Sequence, residues 1–92
     1  MIRSFRHRGL KRLYERDDRS RLPPGMAERI AGILGALDSA ETPDDMDRPS
    51  LRLHRLSGDR KGQWAVTVRA NWRITFAFEG GHAYDVDFVD YH

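Results

Sequence analysis

Asp90, Tyr91 and His92 close the sequence, setting a carboxylate, a phenol and an imidazole on consecutive positions. A second histidine, His54, lies in an alternating segment flanked by Arg52, Arg60 and Lys61, and Arg69 and Arg73 follow downstream. These residue types suit cleavage of an RNA phosphodiester by its own 2′-hydroxyl. That reaction needs a base for the hydroxyl, cationic donors for the charge on the phosphorane, and an acid for the departing 5′-oxygen. Imidazole serves either proton role because its ordinary pKa of about 6.5 lies near working pH. Guanidinium offers a fixed fork to the charged transition state. The residues therefore nominate His54 and His92 for proton transfer and Arg73, Arg52 or the pair Arg60 and Lys61 for charge. Asp90 would orient an imidazole, and Tyr91 would stack on a base or donate a hydrogen bond. Asp85, Asp87, Asp90 and His92 form a second inventory, suited to Mg²⁺ or Mn²⁺. The nearby arginines compete for those carboxylates, so a metal-free reaction without cofactors is the expectation. His7 and His82 have no comparable neighbours and read as surface residues.

The elements that must position these groups are legible from polarity. Trp64, Val66 and Val68 alternate with Ala65, Thr67 and Arg69. Trp72, Ile74, Phe76 and Phe78 alternate with Arg73, Thr75 and Ala77. A third run follows Gly80-Gly81, so the pattern predicts a three-stranded antiparallel meander with one apolar face. Ser50 to Leu56 predicts a further strand, with Leu51 and Leu53 opposed to Arg52 and His54, and Met1 to Phe5 a short one. Leu10, Leu13 and Tyr14 predict a helix over Leu10 to Arg16. Met26, Ile30, Ile33, Leu34 and Leu37 predict a second, ended before an acidic loop from Asp38 to Pro49. Gly32 and Gly35 in that helix each cost about 1 kcal/mol relative to alanine. The order is that of an α/β (α+β) domain, a mainly antiparallel sheet covered on one face by two N-terminal helices. Parity assigns Arg52, His54, Arg69, Arg73, Thr75, Asp85, Asp87 and Tyr91 to the uncovered face. It assigns Tyr84, Val86, Phe88, Asp90 and His92 to the covered one, so Asp90 and His92 reach His54 only if the last strand ends or bulges by about Val89.

Ninety-two residues make one domain, 1–92. Cysteine is absent, which removes disulfides and thiolate metal sites, and no apolar run is long enough to span a bilayer, so the expectation is a cytoplasmic protein without a membrane partner. Gly-rich phosphate loops, H-E-x-x-H and G-x-S-x-G are also missing, which removes the motif-bearing enzyme classes. The formal net charge is only +2, but the charges are blocked. Arg3, Arg6, Arg8, Lys11, Arg12, Arg16, Arg19 and Arg21 crowd the start, and Asp38, Glu41, Asp44, Asp45 and Asp47 the middle. All the cations except Lys11 and Lys61 are arginine, whose planar fork matches phosphate. A polyanion is the first partner implied.

The stretch Leu53-His54-Arg-Leu-Ser-Gly-Asp-Arg-Lys-Gly-Gln-Trp64, the stretch Val68-Arg-Ala-Asn-Trp-Arg-Ile-Thr-Phe76 and the ending Asp90-Tyr91-His92 resemble the HigB branch of the RelE toxin superfamily. The opening from Met1 to Lys11 fits as well, so the resemblance spans the chain. It implies a microbial-RNase-like fold, ribosome-dependent cleavage of mRNA in the A site, no metal, and a helix-turn-helix antitoxin of the HigA type as partner. Operator DNA would be met only through the antitoxin complex. By motif position it implies that His54, Arg73 and the Asp90, Tyr91, His92 terminus are catalytic; Arg52 and Arg69 on the open face and Arg60 and Lys61 in the loop before Gly62 are the RNA contacts that charge and parity suggest. A catalytically weak co-repressor, tuning an antitoxin's grip on its operator with the same arginines, is the alternative reading.

Overall fold

The apolar alternation resolves into paired strands in a computed structural model of the chain, which describes residues 1–60 and 62–91. Two helices, α1 (Arg8–Arg16) and α2 (Ala27–Ser39), precede four strands: β1 (His54–Arg55), β2 (Gln63–Arg69), β3 (Trp72–Glu79) and β4 (His82–Asp90). The strands form one antiparallel sheet in sequence order. This is the α+β arrangement expected, with helices on one face.

The core lies between helices and sheet. Leu10 and Leu13 from α1 and Ile30, Ile33, Leu34 and Leu37 from α2 pack on Val66, Val68, Ile74, Phe76, Val86 and Phe88. Trp72 stacks on Phe88 across β3 and β4, with ring centroids 4.6 Å apart. Helix α1 starts two residues earlier than its apolar period, because the Leu10 N–H donates to the His7 ring nitrogen at 3.3 Å and caps the first turn. His7 is therefore half-buried, with its ring edge 5.6 Å from Phe88, rather than a surface residue. His82 is half-buried too, accepting from Arg3 at 3.3 Å.

Three expected elements differ, each through backbone geometry. The Met1 to Phe5 strand is reduced to isolated parallel bridges, Ile2 with Ala83 and Phe5 with Val86, along the outer edge of β4. Asp85, at φ 54°, interrupts that edge, and its N–H donates to the Ser4 hydroxyl at 2.8 Å. The Ser50 to Leu56 strand shrinks to His54–Arg55 because Arg52 turns into the left-handed region at φ 50°. The acidic loop begins later and is not structureless: α2 runs on to Ser39, and a 3₁₀ turn at Pro43–Met46 buries Met46 completely. Asp45 holds that turn by accepting from the Glu41 and Thr42 amides, which keeps its carboxyl below the usual range.

A polar clasp joins the N-terminal segment to both helices. Tyr14 donates to Asp38 Oδ1 at 2.6 Å, and the Ile2 amide donates to the same oxygen at 2.9 Å. The Tyr14 hydrogen bond is the main cause that lowers the Asp38 pKa below 3.8. A depressed folded-state pKa stabilises above the unfolded value, and that stabilisation is lost as pH falls through the folded one. Tyr14 is 37% exposed, which screens the bond. Tyr14→Phe is expected to cost about 1 kcal/mol in urea unfolding at pH 7, a deficit that shrinks as pH falls below about 4. A deficit of constant size down to pH 2 would contradict the role given to the carboxylate.

The helix glycines have no packing reason within the chain, since a Cβ at Gly32 or Gly35 meets nothing within 4 Å. Gly32→Ala and Gly35→Ala should each raise the unfolding free energy by about 1 kcal/mol through helix propensity alone. Destabilisation by either would mean that α2 needs backbone freedom there.

Candidate active site

Strand register decides which side chains share the uncovered face. His54 pairs with Ala65, Ala65 with Thr75, and Thr75 with Asp87, so these four make one rung across the sheet. A second rung, Thr67–Arg73–Val89, lies on one side of it, and a third, Gln63–Ala77–Tyr84, on the other. Same-face rungs are about 6.7 Å apart along the strands.

Ala65 and Thr75 turn away from the helices yet are 0% and 1% exposed. Arg60 helps to explain this. The 3₁₀ turn Gly58–Arg60 throws its side chain over the sheet, and Nη1 comes to 3.4 Å from the Thr75 hydroxyl. A guanidinium thus lies in the His54 rung. The sequence marks Arg60 only as a cation near His54, and no local motif announces this reach across the sheet.

His54 is exposed, and its Nδ1 is 3.0 Å from the Arg52 carbonyl. A carbonyl only accepts, so Nδ1 carries the proton and a neutral ring keeps its lone pair on Nε2. Arg52 is exposed and serves His54 through its backbone. Strand parity cannot assign its side chain to a face, because the left-handed kink breaks the alternation there. Arg73 stays on the open face, where its Nη1 donates back to the Ala70 and Trp72 carbonyls of the β2–β3 turn.

Two β-bulges overturn other parity assignments. A shift between Thr67 and Arg69 pairs Arg69 with Trp72, and the Arg69 guanidinium approaches Gly25 ahead of α2 rather than the open face. A shift opposite Phe76 centres on Asp85, so Ala83 takes the core position and Tyr84 moves to the open face beside Ala77. Aspartate tolerates positive φ better than most residues, and that is the one sequence signal for this bulge. Past it the register runs unbroken from Thr75–Asp87 to Trp72–Asp90, so no bulge occurs near Val89 and Asp90 keeps the parity of the covered face, exposed at the strand end. Tyr91 follows on the parity of the open face, 38% exposed, and its amide donates to the Asn71 carbonyl at 2.8 Å. The chain is thus held through Tyr91. His92 and Lys61 lie outside the described residues.

The carboxylates of the second inventory are dispersed. Asp85 contacts Ser4, Asp87 accepts from the Phe88 amide at 2.9 Å, and Asp90 stands at the strand end. Among the described residues no three His, Cys, Asp or Glu side chains converge on a metal position.

Residues 3–92 match the HigB-like toxin family, described as the RelE-like toxin of type II toxin-antitoxin system HigB. The chain belongs to this family. It is 48% identical to a protein named endoribonuclease HigB from Proteus vulgaris, over the whole of both chains. It is 31% identical to a protein named toxin HigB-1 from Vibrio cholerae serotype O1, covering all of this chain and 98% of that one. The toxin is thus half of a toxin-antitoxin pair, and no helix among its described residues is long and apolar enough to cross a membrane.

The Arg52 carbonyl should leave a signature on His54. Nitrogen-15 spectra above the imidazole pKa are expected to report the Nδ1–H form as the dominant tautomer. An Nε2–H tautomer, which predominates in unconstrained histidine, would mean that the carbonyl does not hold the ring.

Proposed function

We propose that this toxin is a metal-independent endoribonuclease that cuts mRNA in the ribosomal A site, stops translation in the cytoplasm, and is neutralised by a helix-turn-helix antitoxin of the HigA type. The observation that carries the reading is the shared rung: an exposed imidazole with Nε2 open, and a guanidinium held over Thr75 in line with it. The name of the Proteus relative supports the activity.

The chemistry follows from those groups. His54 Nε2 takes the proton of the 2′-hydroxyl as that oxygen attacks phosphorus, and the P–O5′ bond breaks to leave a 2′,3′-cyclic phosphate. Arg60 and Arg73, one rung apart, hold the phosphate oxygens as charge builds. Tyr91 or His92 supplies the proton for the departing 5′-oxygen. Asp90, which keeps the parity of the covered face, acts at most by orienting that donor from the strand end. Arg52, Lys61 and Arg69 steer the RNA backbone. Arg69 does so from the side of the sheet, given its place beside Gly25. The open face is a shallow sheet surface floored by Ala65 and Ala77, so the ribosome must supply much of the geometry, an effect worth about 7 to 11 kcal/mol of barrier when reactants are fully oriented. Helix α1 is too short and α2 too poor in polar residues to read base edges, so we assign operator recognition to the antitoxin complex.

Cleavage assays on programmed ribosomes test this directly. Wild-type toxin should cut ribosome-bound mRNA far faster than naked mRNA, and dialysing the toxin against a chelator before it meets the ribosomes should not change the rate. His54→Ala should lose about 10²- to 10⁴-fold with its fold intact by circular dichroism. Arg60→Ala and Arg73→Ala should each lower the rate without changing the pH at which an imidazole-dependent step sets in. Equal rates on naked and ribosome-bound mRNA, or an active His54→Ala, would overturn the assignment.

A further inference from the structure

Thr75 carries a hydroxyl for which the sheet itself has no use. Among the described residues it is the one polar side chain that the fold buries, in the middle of β3. Ala65 flanks it on β2 and Asp87 on β4, and its chain neighbours Ile74 and Phe76 face the core. A buried hydroxyl without a partner destabilises, and valine would fill the same space with a similar preference for a strand. The partner that the structure provides is Arg60, whose Nη1 donates to the Thr75 oxygen at 3.4 Å. Arg60 ends the turn Gly58–Arg60, between Gly58 at φ 67° and Gly62 at φ 93°. Its side chain makes no ion pair among the described residues, although Asp87 shares the rung: that carboxylate accepts from the Phe88 amide at 2.9 Å instead.

We propose that Thr75 is a positioning residue for RNA cleavage: its hydroxyl anchors the Arg60 guanidinium over the sheet and so fixes where positive charge meets the phosphate. The inference rests on the endoribonuclease reading above for the reaction, while the anchoring itself stands on the contact. An unanchored arginine on a glycine-bracketed turn samples many rotamers, and a charge spread over many places stabilises a transition state less than one already in place. A neutral oxygen is the suitable anchor. A carboxylate would hold the guanidinium more firmly, but it would also neutralise the charge and compete with phosphate oxygens for the same donors. The hydroxyl engages one of the five guanidinium donors and leaves the charge whole. Its oxygen is itself fixed, because a β-branched side chain has few χ1 rotamers and Thr75 is closely packed. The anchor lies in register with His54, Ala65 and Asp87, so the ladder that places the base also places the cation.

The experiment compares, in the full chain, Thr75→Val, which removes the acceptor at nearly constant volume, with Thr75→Ser, which keeps it. Both are assayed on programmed ribosomes beside Arg60→Ala and the double variant Arg60→Ala with Thr75→Val, and the Arg60 side chain is followed by nitrogen-15 relaxation at Nε. Thr75→Val is expected to lower the saturating cleavage rate about 10- to 10²-fold. Its half-saturating ribosome concentration, and the pH at which the imidazole-dependent step sets in, should not change, because His54 is untouched. Its urea midpoint should equal or exceed that of wild type. Thr75→Ser should recover most of the rate. In the Arg60→Ala background Thr75→Val should cost less than about twofold, since the group that it positions is gone. Relaxation should show Arg60 Nε ordered in wild type and in Thr75→Ser, and freely mobile in Thr75→Val. Equal Arg60 order in Thr75→Val and wild type would overturn the proposal. So would rate losses from Arg60→Ala and Thr75→Val that simply multiply, or a Thr75→Ser as slow as Thr75→Val, either of which assigns Thr75 a packing role instead. If the wild type leaves ribosome-bound mRNA uncut, the endoribonuclease reading fails on its own, and the Arg60 relaxation still decides whether Thr75 holds the guanidinium.

Discussion

The register between β3 and β4 is the constraint on which the rest of the structure depends. It sets Ile74 opposite Phe88 and Trp72 opposite Asp90, which lets the Trp72 and Phe88 rings stack and seals the core at the end of the sheet. The same ladder puts Arg73 and Thr75 on the other face and carries the chain past the β2–β3 turn, where the Tyr91 amide meets the Asn71 carbonyl. Because side chains alternate strictly, slipping this pair by one residue would bury Arg73 and expose Ile74. Fold and candidate site are thus specified by a single register, and the apolar pairs that enforce it act at a distance from the chemistry.

Within that frame the site is assembled from backbone irregularities more than from regular strands. Arg52 enters the left-handed region, which shortens β1 and brings a carbonyl to His54. Asp85 does the same in β4, interrupting the N-terminal edge pairing and turning Tyr84 outward. Non-glycine residues at positive φ cost of order 1 kcal/mol or more and persist only where their surroundings hold them. Here the surroundings are visible: the Ser4 hydroxyl at the Asp85 amide, and the Thr67 amide on the Leu51 carbonyl at 2.7 Å, just before Arg52. Arg29 adds a third restraint by donating from α2 to the Val68 and Ser50 carbonyls where β2 bulges.

This division explains what could be read from the sequence. The cores of β2 and β3 were legible because burial enforces polarity at every second residue, as Trp64, Val66, Ile74 and Phe76 do. The helices were legible because Leu10, Leu13, Ile30, Leu34 and Leu37 keep a helical period. Parity failed for Arg69 and Tyr84, since a bulge inserts one residue without any change in composition, and it lost its meaning at Arg52. His7 read as surface because capping depends on the chain turning there, which the apolar period of α1 does not encode. Thr75 was placed on the correct face, but its burial depends on a contact from Arg60, fifteen positions away in the chain and invisible to any periodicity.

The distribution of charge then has a physical reading that a net charge of +2 conceals. Acidic side chains gather at the Pro43–Met46 turn, where Asp45 serves the backbone, and along the edge and end of β4. Arginines instead occupy the outer side of α1 and the loop and strand positions around His54. Basic side chains thus outnumber acids on both of these surfaces, though each includes an acid, Glu15 on α1 and Asp87 in the His54 rung. Screening over about 8 to 10 Å at physiological salt keeps the two faces electrically independent across a molecule of this thickness. A charge removed from one face therefore leaves the potential of the other nearly unchanged.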